Sequence, residues 1–122
     1  MGDFTKLNVW QRAKELAVYV YTITDIGKIS KDFGLRDQMC RSAVSIAANI
    51  AEGDQLSSNQ QSTRHFYIAR CSAAELQTHT IIAYEVGYLD EQAYSTILHK
   101  VNEISGMLTL LIRSREKSKL KP

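Results

Sequence analysis

Residues 38–53 read Gln38-Met39-Cys40-Arg41-Ser42-Ala43-Val44-Ser45-Ile46-Ala47-Ala48-Asn49-Ile50-Ala51-Glu52-Gly53. Met39, Ala43, Ile46 and Ile50 recur at intervals of four, three and four, the spacing of one face of an α-helix. Gln38, Arg41, Ser45, Asn49 and Glu52 recur at three, four, four and three, so a polar stripe runs beside the apolar one. Cys40, Val44, Ala47 and Ala51 flank the apolar stripe, and the alanines let neighbouring helices approach closely. The helix is expected to begin between Ser30 and Leu35 and to reach Glu52. Gly53 then stands where a left-handed residue ends many helices.

Three more segments carry the same period. Before this helix, Val9, Trp10, Ala13, Leu16, Ala17, Val20 and Ile23 predict a helix from about Leu7 to Asp25, closed by Gly27. After it, Ser57 and Ser58 are each followed three residues on by Gln60 and Gln61, a capping-box pattern. The helix they open carries Phe66, Ala69, Ala73, Leu76, Ala83 and Tyr84 on one face and runs to about Val86, where Gly87 stops it. Asp90 caps a last helix with the seam Tyr94, Ile97, Val101, Ile104, Leu108 and Leu111. The only proline of the 122 residues is Pro122, so nothing breaks these helices internally. Short joints between long helices make neighbours antiparallel. The expected fold is all-α, an antiparallel up-down-up-down four-helix bundle over residues 1–116, followed by a basic tail over 117–122.

Cys40 and Cys71 are the only cysteines, and both fall in apolar-periodic segments. They read as small buried side chains and not as a disulfide framework. No apolar run approaches the ~20 residues that span a bilayer, and the N-terminus lacks an apolar signal core. A soluble cytoplasmic protein without a membrane partner is expected. The net charge is +2, but residues 113–122 hold five cations (Arg113, Arg115, Lys117, Lys119, Lys121) against Glu116. That segment balances at +4 and leaves −2 over the other 112 residues.

The polar stripe has three readings. Gln38, Arg41, Ser45, Asn49 and Glu52, with a partner stripe of Arg64, Ser72, Glu75 and His79, can form a network that fixes helix register. They can also line an oligomer interface or a ligand cleft, or supply acid–base chemistry through Glu52 and Glu75. The first is favoured, with Gln38, Arg41, Ser45, Asn49, Glu52 and Glu75 as its members, and no catalytic residue is assigned. Glu75 and His79 stand four apart, but no Glu-x-x-His of a di-metal bundle occurs. No metal or cofactor is expected. Phosphate-loop, dinucleotide and hydrolase motifs are absent from the sequence. The candidate nucleic-acid-binding residues are Arg12, Lys14, Arg113, Arg115, Lys117, Lys119 and Lys121. Several +4 segments on one face of an oligomer would form a polyvalent phosphate-binding surface.

Leu7-Asn8-Val9-Trp10-Gln11-Arg12-Ala13, Phe33-Gly34-Leu35-Arg36-Asp37-Gln38 and Arg41–Gly53 resemble the four-helix bundle proteins related to the 23S rRNA intervening-sequence-encoded protein. Phe66-Tyr67-Ile68-Ala69-Arg70, Ser72 with Glu75-Leu76, and Gly87-Tyr88-Leu89 continue the resemblance in order, over about residues 4–112. It implies a ring-shaped homopentamer without enzymatic activity, with RNA, DNA or a nucleic-acid enzyme such as a reverse transcriptase as partner. Two positions depart from the family pattern: Cys71 replaces a glycine, and Ile26-Gly27 replaces Phe-Pro.

Overall fold

The structure, a computed structural model, describes residues 2–56 and 58–119. Four helices carry the chain: α1 (Asn8–Thr24), α2 (Phe33–Gln55), α3 (Asn59–Glu85) and α4 (Glu91–Lys119). Short 3-10 turns, Phe4–Lys6 and Lys28–Lys31, precede α1 and α2. Among the described residues there is no strand. The chain is therefore all-α with four helices.

Side-chain oxygens start three of the four helices. Asp32 accepts from Leu35 N at 3.1 Å, Ser58 from Gln61 N at 3.2 Å, and Asp90 from Ala93 N at 2.8 Å. Each cap satisfies a backbone donor that the helix cannot, for about 1 kcal/mol. The other serine of the expected pair, Ser57, lies outside the described residues. Gly87 ends α3 at φ 86°, and Gly87 N and Tyr88 N return to Tyr84 O and Ala83 O. Those two bonds form the left-handed closure that glycine permits without a Cβ penalty.

Gly53 corrects the sequence expectation. It is helical, and α2 continues past it to Gln55. Its lack of a side chain serves a close crossing instead: a Cβ there would lie 2.5 Å from Phe66 Cε1, 2.9 Å from Phe66 Cδ1 and 3.0 Å from Ser62 O. The Ser62 hydroxyl donates to Gly53 O across the same crossing at 2.6 Å.

The predicted stripes meet in one core. Val9, Ala13, Leu16, Ala17 and Val20 of α1 face Met39, Ala43, Ile46 and Ile50 of α2 within it. Phe66, Ala69, Ala73, Leu76 and Ala83 of α3 join Ile97, Val101, Ile104, Leu108 and Ile112 of α4. Burying each of the larger side chains stabilises the fold by roughly 1.5–3 kcal/mol before entropy is counted. Trp10, Ile23, Tyr84, Tyr94 and Leu111 are half-buried, and Val44 is exposed. Cys40 is buried, its Sγ 3.5 Å from the hydroxyl of buried Thr24. Cys71 is exposed, which corrects its expected burial. It sits on the side of α3 turned away from Phe66, Ala69 and Ala73.

α1 packs on α2 and α4, and α3 packs on α2 and α4. α4 continues as helix through Lys119. The expected boundary between residues 116 and 117 thus falls inside a helix, because nothing from Arg113 to Lys119 is a helix breaker.

Candidate nucleic-acid interface and the polar stripe

The α2–α3 crossing brings part of the polar stripe together. Ser45 Oγ and Ser72 Oγ lie 2.8 Å apart. The Asn49 amide donates to Ser45 O at 2.9 Å and to Ser45 Oγ at 3.1 Å. Asn49 Oδ1 lies 3.0 Å from His65 Nδ1, and Glu52 Oε2 lies 3.3 Å from the same nitrogen. With Nδ1 protonated, one ring N–H serves both acceptors. The result is a chain that runs from buried Ser72 through half-buried Ser45, Asn49 and His65 to exposed Glu52 and ties two helices at three successive turns of α2.

His65 was missed by sequence reasoning, although it stands seven residues before Ser72 and so shares its helix face. The remaining expected members stay outside the chain. Gln38 and Glu75 are exposed. Arg41, with its side chain 79% exposed, pairs with Asp37 of its own helix at 3.5 Å. Arg64 is exposed too. His79 Nε2 is buried without a hydrogen-bond partner among the described residues, and no bond joins it to Glu75. Among the described residues, no three His, Cys, Asp or Glu side chains converge as metal ligands.

The candidate cations divide by environment. Arg115 Nη2 lies 3.3 Å from Asp54 Oδ1, and its guanidinium stacks 5.4 Å from the centre of the Phe66 ring. Asp54 is 8% exposed and Arg115 26%. Arg115 therefore packs against the bundle, and its charge is met within the chain. The sequence did hold the signal, since Arg115 continues the Leu108 seam by seven residues. Arg12 Nη1 lies 3.6 Å from Glu103 Oε1, and Lys14 Nζ lies 5.9 Å above the Trp10 ring. Arg113 and Lys117, one helical turn apart, are exposed. The carboxylate between them, Glu116, accepts from the Tyr67 hydroxyl at 3.3 Å. The Lys119 side chain and all of Lys121 lie outside the described part of the structure.

A four-helix chain, stitched by a polar chain between α2 and α3 and carrying cations on an extended last helix, defines the class. The family model described as 23S rRNA-intervening sequence protein matches residues 5–110, and the chain belongs to that family. Among solved structures it is similar to a protein of unknown function from the S23 ribosomal protein family of Bacteroides thetaiotaomicron. The two are 27% identical with a TM-score of 0.78, over 85% of this chain and 97% of that one. No functionally curated protein matches it. No helix among the described residues is long and apolar enough to cross a membrane.

Proposed function

We propose that this chain is a non-enzymatic cytoplasmic protein that self-assembles and binds RNA or a ribonucleoprotein through the end of α4. In this reading the helices run up-down-up-down and antiparallel, and the assembly is a ring-shaped homopentamer. Pairs such as Gln55 with Gly2, Tyr67 with Glu116 and Arg70 with Thr109 support alternating helix directions. The observation that carries the binding role is the exposed Arg113–Lys117 face on a helix continuing to Lys119, with Glu116 engaged by Tyr67. Repeated around a ring, that face would meet several phosphates at once. Membership of a family described by its ribosomal RNA insertion supports RNA as the ligand.

A salt titration of binding to a structured RNA tests the proposal. Affinity should fall steeply between about 50 and 200 mM salt, because each phosphate contact releases counterions. Reversing Arg113 and Lys117 to Glu should weaken binding and flatten the salt slope while leaving the fold intact. Salt-independent affinity, or full affinity after both reversals, refutes it. A scaffold that holds a protein partner, such as a reverse transcriptase, is the second reading. It is favoured by the exposed Val18, Tyr21 and Val44. Pull-down after nuclease treatment separates the two, since only a protein contact survives it.

A further inference from the structure

Two apolar surfaces of this chain face solvent on different sides. The first is a groove of about 490 Å³ between α1 and α2, walled by Trp10, Ala17, Val18, Tyr21, Val44 and Ala48. Val18 is 60% exposed and Tyr21 51%. The one charge lining it is Lys14, which no carboxylate pairs among the described residues. The second is the outer ridge of α3. That helix turns Phe66, Ala69, Ala73 and Leu76 inward. At 3.6 residues per turn its opposite side is Tyr67, Cys71, Ala74, Thr78 and Ile82. All five are exposed and none is charged. A helix facing water usually carries charge there, and one that is apolar on both sides is normally covered on both. Arg64 and Glu85 stand on this line just before and after the uncharged stretch and Glu75 along its edge; Glu75 and Glu85 are exposed and in no ion pair among the described residues.

We propose that the α3 ridge of one copy seats in the α1–α2 groove of a second copy. The proposal rests on the self-assembly reading above and names its two mating faces. Length and charge both fit. The ridge from Tyr67 to Ile82 is about 22 Å long, and the groove wall from Trp10 to Tyr21 about 17 Å. Ala17, Ala47, Ala48 and Ala51 leave the groove shallow-walled, so a helix can approach closely. Glu75, midway along the ridge, supplies the carboxylate that Lys14 lacks. Because the two faces differ, the contact is heterologous. Each copy keeps one free ridge and one free groove, so successive copies close into a ring or extend into a filament.

The test blocks one face at a time. Ala48→Arg fills the groove and Ile82→Arg charges the ridge; both sites are exposed, so the fold should hold. Light scattering should give the wild type a mass above the 13.8 kDa of one chain. Each variant alone should be a monomer. An equimolar mixture should form a one-to-one dimer, because only one intact ridge and one intact groove remain to pair. Lys14→Glu and Glu75→Lys, which add no bulk, should each weaken assembly and together restore it. A monomeric wild type at high concentration sinks the self-assembly reading and this inference with it. An assembled wild type whose blocked variants stay assembled, or whose mixture yields no dimer, overturns this inference and leaves self-assembly standing.

Discussion

Replacing Gly53 by alanine adds a single methyl group at the close crossing of α2 and α3. In an ordinary helix interior the change would stabilise by about 1 kcal/mol, since alanine loses less backbone entropy. Here the new Cβ would lie 2.5 Å from Phe66 Cε1 and 3.0 Å from Ser62 O. The Phe66 ring is fully buried and covered by Arg115, so it has little room to turn aside. Overpacking of this kind costs about 1–3 kcal/mol. A contact as short as 2.5 Å to a confined ring belongs in the upper part of that range, about 2–3 kcal/mol, and setting it against the propensity gain leaves a net loss of about 1–2 kcal/mol. For a domain of this length, melting should fall by roughly 4 °C per kcal/mol, hence about 4–8 °C. Gly106 is the internal control. It is helical in α4, and a Cβ there meets nothing within 4 Å. Gly106→Ala should therefore raise melting by about 4 °C through propensity alone. Circular dichroism melts at one fixed concentration read both variants. A Gly53→Ala protein melting at or above the wild type refutes the close-approach account of this glycine. Phe66→Leu should also cost less in the Gly53→Ala background than in the wild type, because the two side chains compete for the same space.

Asn49→Leu removes both ends of the link between Ser45 and His65 and should destabilise the chain by about 1–3 kcal/mol in urea denaturation. An unchanged midpoint would mean that the polar chain does not hold α2 to α3. Arg115→Ala should cost about 1–2 kcal/mol through the lost Asp54 pair and the bared Phe66 ring, the pair being discounted for partial solvent access. Arg113→Ala should leave stability within about 0.5 kcal/mol and instead lower the salt slope of RNA binding by nearly one. The reverse pattern would overturn the division of these two arginines. In the monomeric Ala48→Arg variant, whose ridge stays free, an aromatic disulfide reagent should modify Cys71 promptly and Cys40 only on unfolding; equal rates would contradict their different burial.

The four helices were legible because their apolar residues repeat at three and four with no interior proline to interrupt them. Met39, Ala43, Ile46 and Ile50 are all fully buried, as the stripe required. Gly53 was misread for a physical reason. A glycine near a helix end serves equally for a left-handed turn or for close approach, and only the position of Phe66 on another helix separates them. Cys71 misled because α3 carries small or apolar residues on its outer side as well as its inner one, so hydrophobicity alone did not mark the core. Ser45, Asn49 and Glu52 were recognised as one stripe, yet their junction with His65 depends on how α3 is rotated about its axis. Arg115 shows the limit of counting charge: spacing placed it on the core seam, while composition placed it with the cations.

The root of the last helix is held twice, by Arg115 on Asp54 and by Tyr67 on Glu116. Arg113 and Lys117 are consequently carried as fixed pegs on a stiff rod and not as beads on a loose string. A polyanion docking there would have little wandering to arrest, so its grip should depend on the firmness of a joint it never touches. Loosening Asp54 would then slacken binding from within, with every surface cation still in place.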